Sequence, residues 1–460
     1  MTNRFRKATS QVAPCDNETD KGTVKETKKT ATTLVAGAAL PTSAARRGAG
    51  LRLPGAHAQR PTMTGEAIGT WLRPVRPVLD PADEIDWDRL AAMETELDAV
   101  LTEHPVDLPD GPERSRRLQA VRLAMVERGF LGTMTDSPLY GILAQFVCGY
   151  RDIDLRDAVT LGHGSLIAQY GRPALRDRWG PRIAAGELVG VATTEPHGGS
   201  RSATARTCAT PGPDGTWLVS GRKTWISRLT EASVFVVFFQ DPNRRLAAAA
   251  IDAAEPGLYR QPVSPAGLAG WTWGVLDLDA VPVHPDRDVL VGHGMSLLRR
   301  HFTAYRPLVT ATALGAAAAV FDTVNAHLMY RQTSGDLPRL RDSALVTLGR
   351  THAQLTTALL GTAAAAQLAH AKADRAEQWG WEMKAHGVDT AHQAATELAQ
   401  LLGAAGYQAD SPIAKARRDL GALLIADGIH DTLYRSAGKH HTRPPAVTER
   451  RQQPLVTRPV

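Results

Sequence analysis

Four short stretches of the sequence hold residue types that can do chemistry. Asp427, in Ile425-Ala-Asp-Gly428, is a carboxylate able to remove a proton from a substrate brought against it. Arg306, just before Pro307, is a cation able to keep such a carboxylate ionised. The stretches Thr193-Thr-Glu-Pro-His-Gly-Gly-Ser200 and Gly221-Arg-Lys-Thr-Trp-Ile-Ser227 bring together the hydroxyls of Thr194, Ser200 and Ser227 and the indole of Trp225. These are the hydrogen-bonding groups and the aromatic wall from which a cofactor pocket can be built.

Other chemistries lack their residues. Cys15, Cys148 and Cys208 stand far apart in no metal-binding or disulfide pattern, so no metal site is expected and a reducing, cytoplasmic setting fits. The glycine patterns of dinucleotide and P-loop nucleotide sites are missing. The net charge of +6 suggests nucleic acid, but residues 1–62 hold 11 Lys/Arg against 4 Asp/Glu, leaving the rest with 42 basic and 43 acidic residues. A body so balanced has no electrostatic footprint for nucleic acid. No apolar run of the roughly 18 to 20 residues that a membrane span needs is expected.

These candidate residues must be positioned by three kinds of element. Residues 1–62, rich in Thr, Ala, Lys and Gly, read as a disordered leader, with Met63 an alternative start and Lys28 to Ala45 a weak imitation of a signal peptide. Residues 63–186 read as a helical domain: Leu90, Met93, Leu97, Val100 and Leu101 recur at helical spacing behind Asp86-Trp87-Asp88. Residues 187–295 are cut into short apolar or β-branched runs by Gly, Pro and Asp, with a turn at Asp214-Gly215, and read as a β domain. Residues 296–445 return to a helical period in long Ala- and Leu-rich segments, a bundle, before a disordered tail at 446–460. The class is α+β, with an N-terminal helical domain, a middle antiparallel β domain and a C-terminal four-helix bundle.

Several motifs, in this order, resemble those of the acyl-CoA dehydrogenase family. Thr193 to Ser200 resembles its TEPxxGSD, Gly221 to Ser227 its GxKxWIT, and Leu276 to Val283 its LxFxxVxVP. Arg306-Pro307 follows, then Tyr330-Arg-Gln-Thr-Ser-Gly335 in place of ERxxFG. Gln400 to Gly406 is similar to QxxGGxG, and Arg418-Asp419 with Ile425 to Gly428 to RDxxxxxIYEG. The resemblance spans roughly residues 85–445.

It implies an enzyme with bound FAD that desaturates an acyl-CoA or acyl-carrier-protein thioester between its α and β carbons and passes electrons to an electron-transfer flavoprotein. Thr194 and Ser227 would bond the flavin, Trp225 would flank it, and Ser200 would reach the pyrophosphate. Arg331, Thr333, Gln400, Gly403 and Ala404 would serve the FAD of a neighbouring subunit, implying a homodimer or homotetramer. Asp427 would be the base and Arg306 its partner.

The sequence departs from the family at Asp427 (usually Glu), Ile429 (Thr), Ser334 (Phe) and Ala404 (Gly). Aspartate draws the carboxylate back by about 1.5 Å. Three readings of Asp427 are open: a base for a substrate seated deeper, a cap on the nearby helix turn, or a relic of a changed activity. Two other functions are open as well: a flavin monooxygenase of the same fold using His430, and a non-catalytic member. His197 and Arg201 read as residues of a solvated loop, Trp271 and Trp273 as packing or as walls of the acyl pocket. The shorter base suggests a small or polar acyl group.

Overall fold

The computed structural model of the chain describes residues 65–442. The side chains of Ser200 and Arg201, and the segments 1–62 and 446–460 read above as disordered, lie outside the described residues. The first part is helical: α1 (Arg76–Leu79), α2 (Trp87–Glu103), α3 (Pro112–Glu127), α4 (Pro138–Arg151), α5 (Gly164–Tyr170) and α6 (Pro173–Ala184). Asp86 caps α2 by accepting from the Arg89 amide at 2.8 Å. Leu90, Met93, Leu97 and Val100 are buried, as their spacing predicts.

Seven strands follow: β1 (Leu188–Ala192), β2 (Cys208–Pro211), β3 (Trp217–Ser227), β4 (Ala232–Gln240), β5 (Leu246–Asp252), β6 (Leu258–Val263) and β7 (Trp273–Val283). They form one sheet of order β1-β4-β2-β3-β7-β6, with β5 on β4. The expectation of an antiparallel sheet is corrected in part, because β1 pairs parallel with β4 and β2 meets β4 in parallel at Cys208. The physical reason is connectivity. β1 and β4 are separated by a loop and the β2–β3 hairpin, a connection long enough to bring the chain back in the same direction. Asp214-Gly215 lies in the β2–β3 turn, and β7 alternates buried with less buried residues.

After α7 (Pro285–Asp288) come α8 (Gly294–Thr333), α9 (Asp342–His370) and α10 (Ala376–Gln400), with the shorter α11 (Pro412–Leu423) and α12 (His430–His441). The expected four-helix bundle is therefore three long helices closed by two short ones, since Gly403 and Gly428 break the chain at positive φ. α8 and α10 run in the same direction, with Thr303 beside Gly380 and Thr310 beside Gly387. α4 crosses α8 so closely that a Cβ on Gly149 would meet the Thr312 carbonyl at 2.0 Å, and one on Gly315 the Phe146 carbonyl at 2.0 Å.

One sequence expectation fails here. α8 contains an 18-residue window of mean hydropathy 1.5, long and apolar enough to cross a membrane by composition. That window is 83% buried inside the protein, so its apolarity is used by α4, α9 and α10.

Candidate functional site

The two β-domain motifs are joined by a buried ion pair. Glu195 accepts from Lys223 Nζ at 2.8 Å, from the Arg206 and Thr207 amides at 2.7 and 3.0 Å, and from Thr207 Oγ1 at 2.7 Å. Burial raises the Glu195 carboxyl, but Lys223 and these hydrogen bonds outweigh it and hold it down at about 2. The loop carrying half-buried Thr194 is thereby fixed to β3, where the Thr224 amide also donates to the Thr194 carbonyl at 2.9 Å. His197 is corrected: it is half-buried beside Glu195, with Nδ1 3.4 Å from its carboxylate, because that carboxylate draws it inward.

Between Lys223 and Ile226 the pairing of β3 with β7 slips by one residue. Trp225 takes φ 58° in this bulge and is 59% exposed. Two residues on, half-buried Ser227 accepts a hydrogen bond from Arg228 Nη1 at 2.7 Å. Arg228 is buried and paired with buried Asp157, Nε to Oδ2 at 2.7 Å. Burial works against the charge of Arg228, while Asp157, Tyr305 and Asp427 outweigh it and raise its affinity for the proton.

Asp427 arrives from the other side, in the turn between α11 and α12. It is half-buried and left-handed, φ 57°, a conformation that aspartate tolerates better than most residues. Arg306 on α8 donates through Nε to the Asp427 carbonyl at 3.1 Å, and its guanidinium lies over Phe302. Lys384 on α10, fully buried, donates to the carbonyls of Leu423 and Gly428, each at 2.7 Å. Burial lowers the Lys384 ammonium to about 7 and Arg306 to about 10, and in both the Asp427 carboxylate acts in the opposite sense. Tyr305 is buried, its hydroxyl pushed up first by burial, and it feels both Arg228 and Asp427. Beneath it His163 and His301 share a hydrogen bond at 2.9 Å, and burial holds both below the usual histidine range.

The structure therefore brings Thr194, Trp225, Ser227, Arg306 and Asp427 to the region where the β domain meets the near ends of α8 and α10. It separates the other five. Arg331 and Thr333 lie about 37 and about 40 Å further along α8 from Arg306, at ~1.5 Å per residue. Because α10 runs parallel to α8, exposed Gln400, Gly403 and Ala404 reach the same far end, where Tyr407 is 90% exposed. Sequence reasoning missed Asp157, Arg228, Tyr305 and Lys384. Arg228 was visible as the residue after Ser227, and Lys384 as a cation near Gly380 and Gly387 on the face that α10 buries. Trp271 and Trp273 donate to the carbonyls of Asp154 and Leu268 at 2.9 and 2.8 Å. His430 is tied to Asp389, Nδ1 to Oδ1 at 2.6 Å.

Two family descriptions match the sequence: "Acyl-CoA dehydrogenase, middle domain" over residues 190–281 and "Acyl-CoA dehydrogenase, C-terminal domain" over residues 292–440. The very long-chain specific acyl-CoA dehydrogenase of Rattus norvegicus mitochondria is 26% identical over 317 residues, 64% of this chain and 47% of that protein. The chain thus spans about half the length of the first curated relatives it matches. Among solved structures, butyryl-CoA dehydrogenase from Megasphaera elsdenii has a TM-score of 0.66 at 21% identity, covering 78% of this chain and 98% of its own. A glutaryl-CoA dehydrogenase from Mycobacterium smegmatis in complex with FADH2 has a TM-score of 0.65 at 22% identity, covering 79% and 98%.

Proposed function

The chain belongs to the acyl-CoA dehydrogenase family, and from that premise we propose that it is an FAD-dependent enzyme that introduces an α,β double bond into an acyl thioester, with Asp427 as its base. The observation that carries this reading is that Arg228, which donates to Ser227 of the β domain at 2.7 Å, lies within the electrostatic reach of Asp427 from the bundle. The residues fit a flavin. Trp225 is an indole held outward by a left-handed bulge, beside a hydroxyl and the loop of Thr194. When bound, FAD supplies the acceptor for the hydride leaving the β carbon.

Thr194, Ser200 and Ser227 would hold the cofactor by hydrogen bonds and Trp225 by its ring. Asp427 takes the α proton, its turn held by Arg306 and Lys384 so that a short carboxylate stays in place. The groups around it, Arg228, Tyr305, Arg306 and Lys384, are polar, which supports a small or polar acyl group. A hollow of about 400 Å³ lined by Arg299, Lys372, Arg375 and His440, together with Asp374 and Glu377, opens roughly 10 Å along α8 from Arg306. It suits the phosphates at the far end of a CoA or carrier-protein arm.

Arg331, Thr333, Gln400, Gly403 and Ala404 are then the half of the site lent to a second copy, which makes the working unit a homodimer or a pair of dimers. Electrons pass on to an electron-transfer flavoprotein, in a reducing cytoplasmic compartment. The test is anaerobic titration of the yellow protein with a panel of acyl thioesters beside Asp427→Ala. Bleaching of the parent but not of the variant is expected. A parent that holds flavin yet is bleached by no thioester would overturn the dehydrogenase reading.

A further inference from the structure

We propose that Asp157 and Arg228 are positioning residues that aim the Ser227 hydroxyl, so that it donates a hydrogen bond to the reactive edge of the bound flavin. The proposal rests on the flavin reading above and adds to it a device outside the motifs that led there.

The argument begins with donor inventory. An arginine side chain has donors and no acceptor, whereas a serine hydroxyl has one proton and two lone pairs. The contact of Arg228 Nη1 with Ser227 Oγ at 2.7 Å can therefore run in one direction only. Ser227 accepts, and its own proton must point elsewhere. Two residues earlier on the same strand end, Trp225 presents an exposed indole.

Arg228 is itself held by Asp157. Asp157 accepts from Nε at 2.7 Å and lies 2.5 Å from Nη2, and each side chain of the pair is 3% exposed. Arg228 has φ 58°, a left-handed backbone that folds its side chain back past Ser227. A surface ion pair would be mobile and screened; a buried one with fixed partners orients what it touches.

The device answers a need created by the sequence. Ser227 stands where the resemblance puts a threonine, whose β-branch restricts χ1; a serine lacks that restraint and needs another. A guanidinium donating to the oxygen also makes the remaining proton a stronger donor. Such a donor favours the electron-rich reduced flavin over the oxidised one, so it shifts the reduction equilibrium upward.

The experiment measures the two-electron reduction equilibrium and the visible spectrum of FAD-loaded protein in a double-mutant cycle. Asp157→Leu with Arg228→Met removes the buried pair as a unit, so that no lone charge stays behind and the local net charge is unchanged. Ser227→Ala removes the hydroxyl. Each is expected to lower the equilibrium about tenfold, ~30 mV for a two-electron couple. All three changes together are expected to do no more than Ser227→Ala alone. A potential unmoved by loss of the pair, or shifts that simply add, would overturn the proposal. If the pair-deleted protein does not fold, Asp157→Asn takes its place, with a smaller fall expected and an unmoved potential again decisive against it. A parent with no flavin spectrum would bring down the flavin reading and this proposal together; a normal flavin spectrum with an unmoved potential would bring down this proposal alone.

Discussion

Arg306 grips the backbone of Asp427: its Nε donates to the Asp427 carbonyl at 3.1 Å. The turn carrying the carboxylate is thus tied to α8, while the carboxylate lies in the field of Arg228, Arg306 and Lys384. Replacing Asp427 by Ala is expected to slow flavin reduction by thioester about 10²- to 10⁴-fold, the usual worth of a general base. The folded state should lose about 1–2 kcal/mol, because alanine at φ 57° gives up the tolerance that aspartate has for a left-handed backbone. Stopped-flow reduction and thermal melts measure the two effects.

Arg306→Lys keeps a positive charge but loses the Nε donor and the planar contact with Phe302. The expected outcome is a fall in the reduction rate with thioester binding nearly intact, since the turn loosens and the hollow proposed for the phosphates is untouched. A fall in binding with an unchanged rate would place Arg306 on the substrate instead of behind the base.

Lys384 predicts a pH dependence whose sign follows from burial. The folded protein releases the Lys384 proton near 7, whereas the unfolded chain keeps it to the ordinary value of 10.5. Between these limits unfolding takes up a proton, so this group makes stability rise with pH. Denaturant titrations of parent and Lys384→Met from pH 6 to 10 should show the stability gap moving in favour of the parent as pH rises through 7. A gap independent of pH would mean that the amine keeps its proton throughout.

Glu195 and Lys223 predict a structural effect felt at the cofactor. Breaking this buried pair with Lys223→Met should cost about 3–5 kcal/mol, with Glu195→Gln beside it recovering part of the loss. Because the Glu195 carboxyl falls from its ordinary 4.5 to about 2 in the folded state, its contribution is present above 4.5 and is lost as pH falls toward 2. Flavin retention should drop in the single variant, since the loop of Thr194 is no longer fixed to β3.

The two ends of α8 predict complementation between subunits. Arg331→Ala protein should lose flavin and Asp427→Ala protein should keep it without bleaching. Mixed dimers of the two hold one intact site, with Arg331 from one copy and Asp427 from the other, and should regain up to half the parent activity. No activity in verified mixed dimers would mean that each chain serves its own cofactor.

The sequence by itself determined the class of each region and the motif residues. Helical spacing over Leu90 to Val100, the turn at Asp214-Gly215 and the alternation of β7 are local properties, set by side-chain periodicity and turn chemistry within a few residues. Only the tertiary structure decided which of the motif residues meet. That Arg331 stands far from Arg306 depends on the unbroken length of α8, and that Gln400 lies toward the same end of the bundle as Arg331 depends on α10 running parallel to α8. Asp157, Arg228 and Lys384 carried no motif. Their roles come from burial, which removes water from an ionised group and leaves it dependent on whichever distant residues the fold has put within reach.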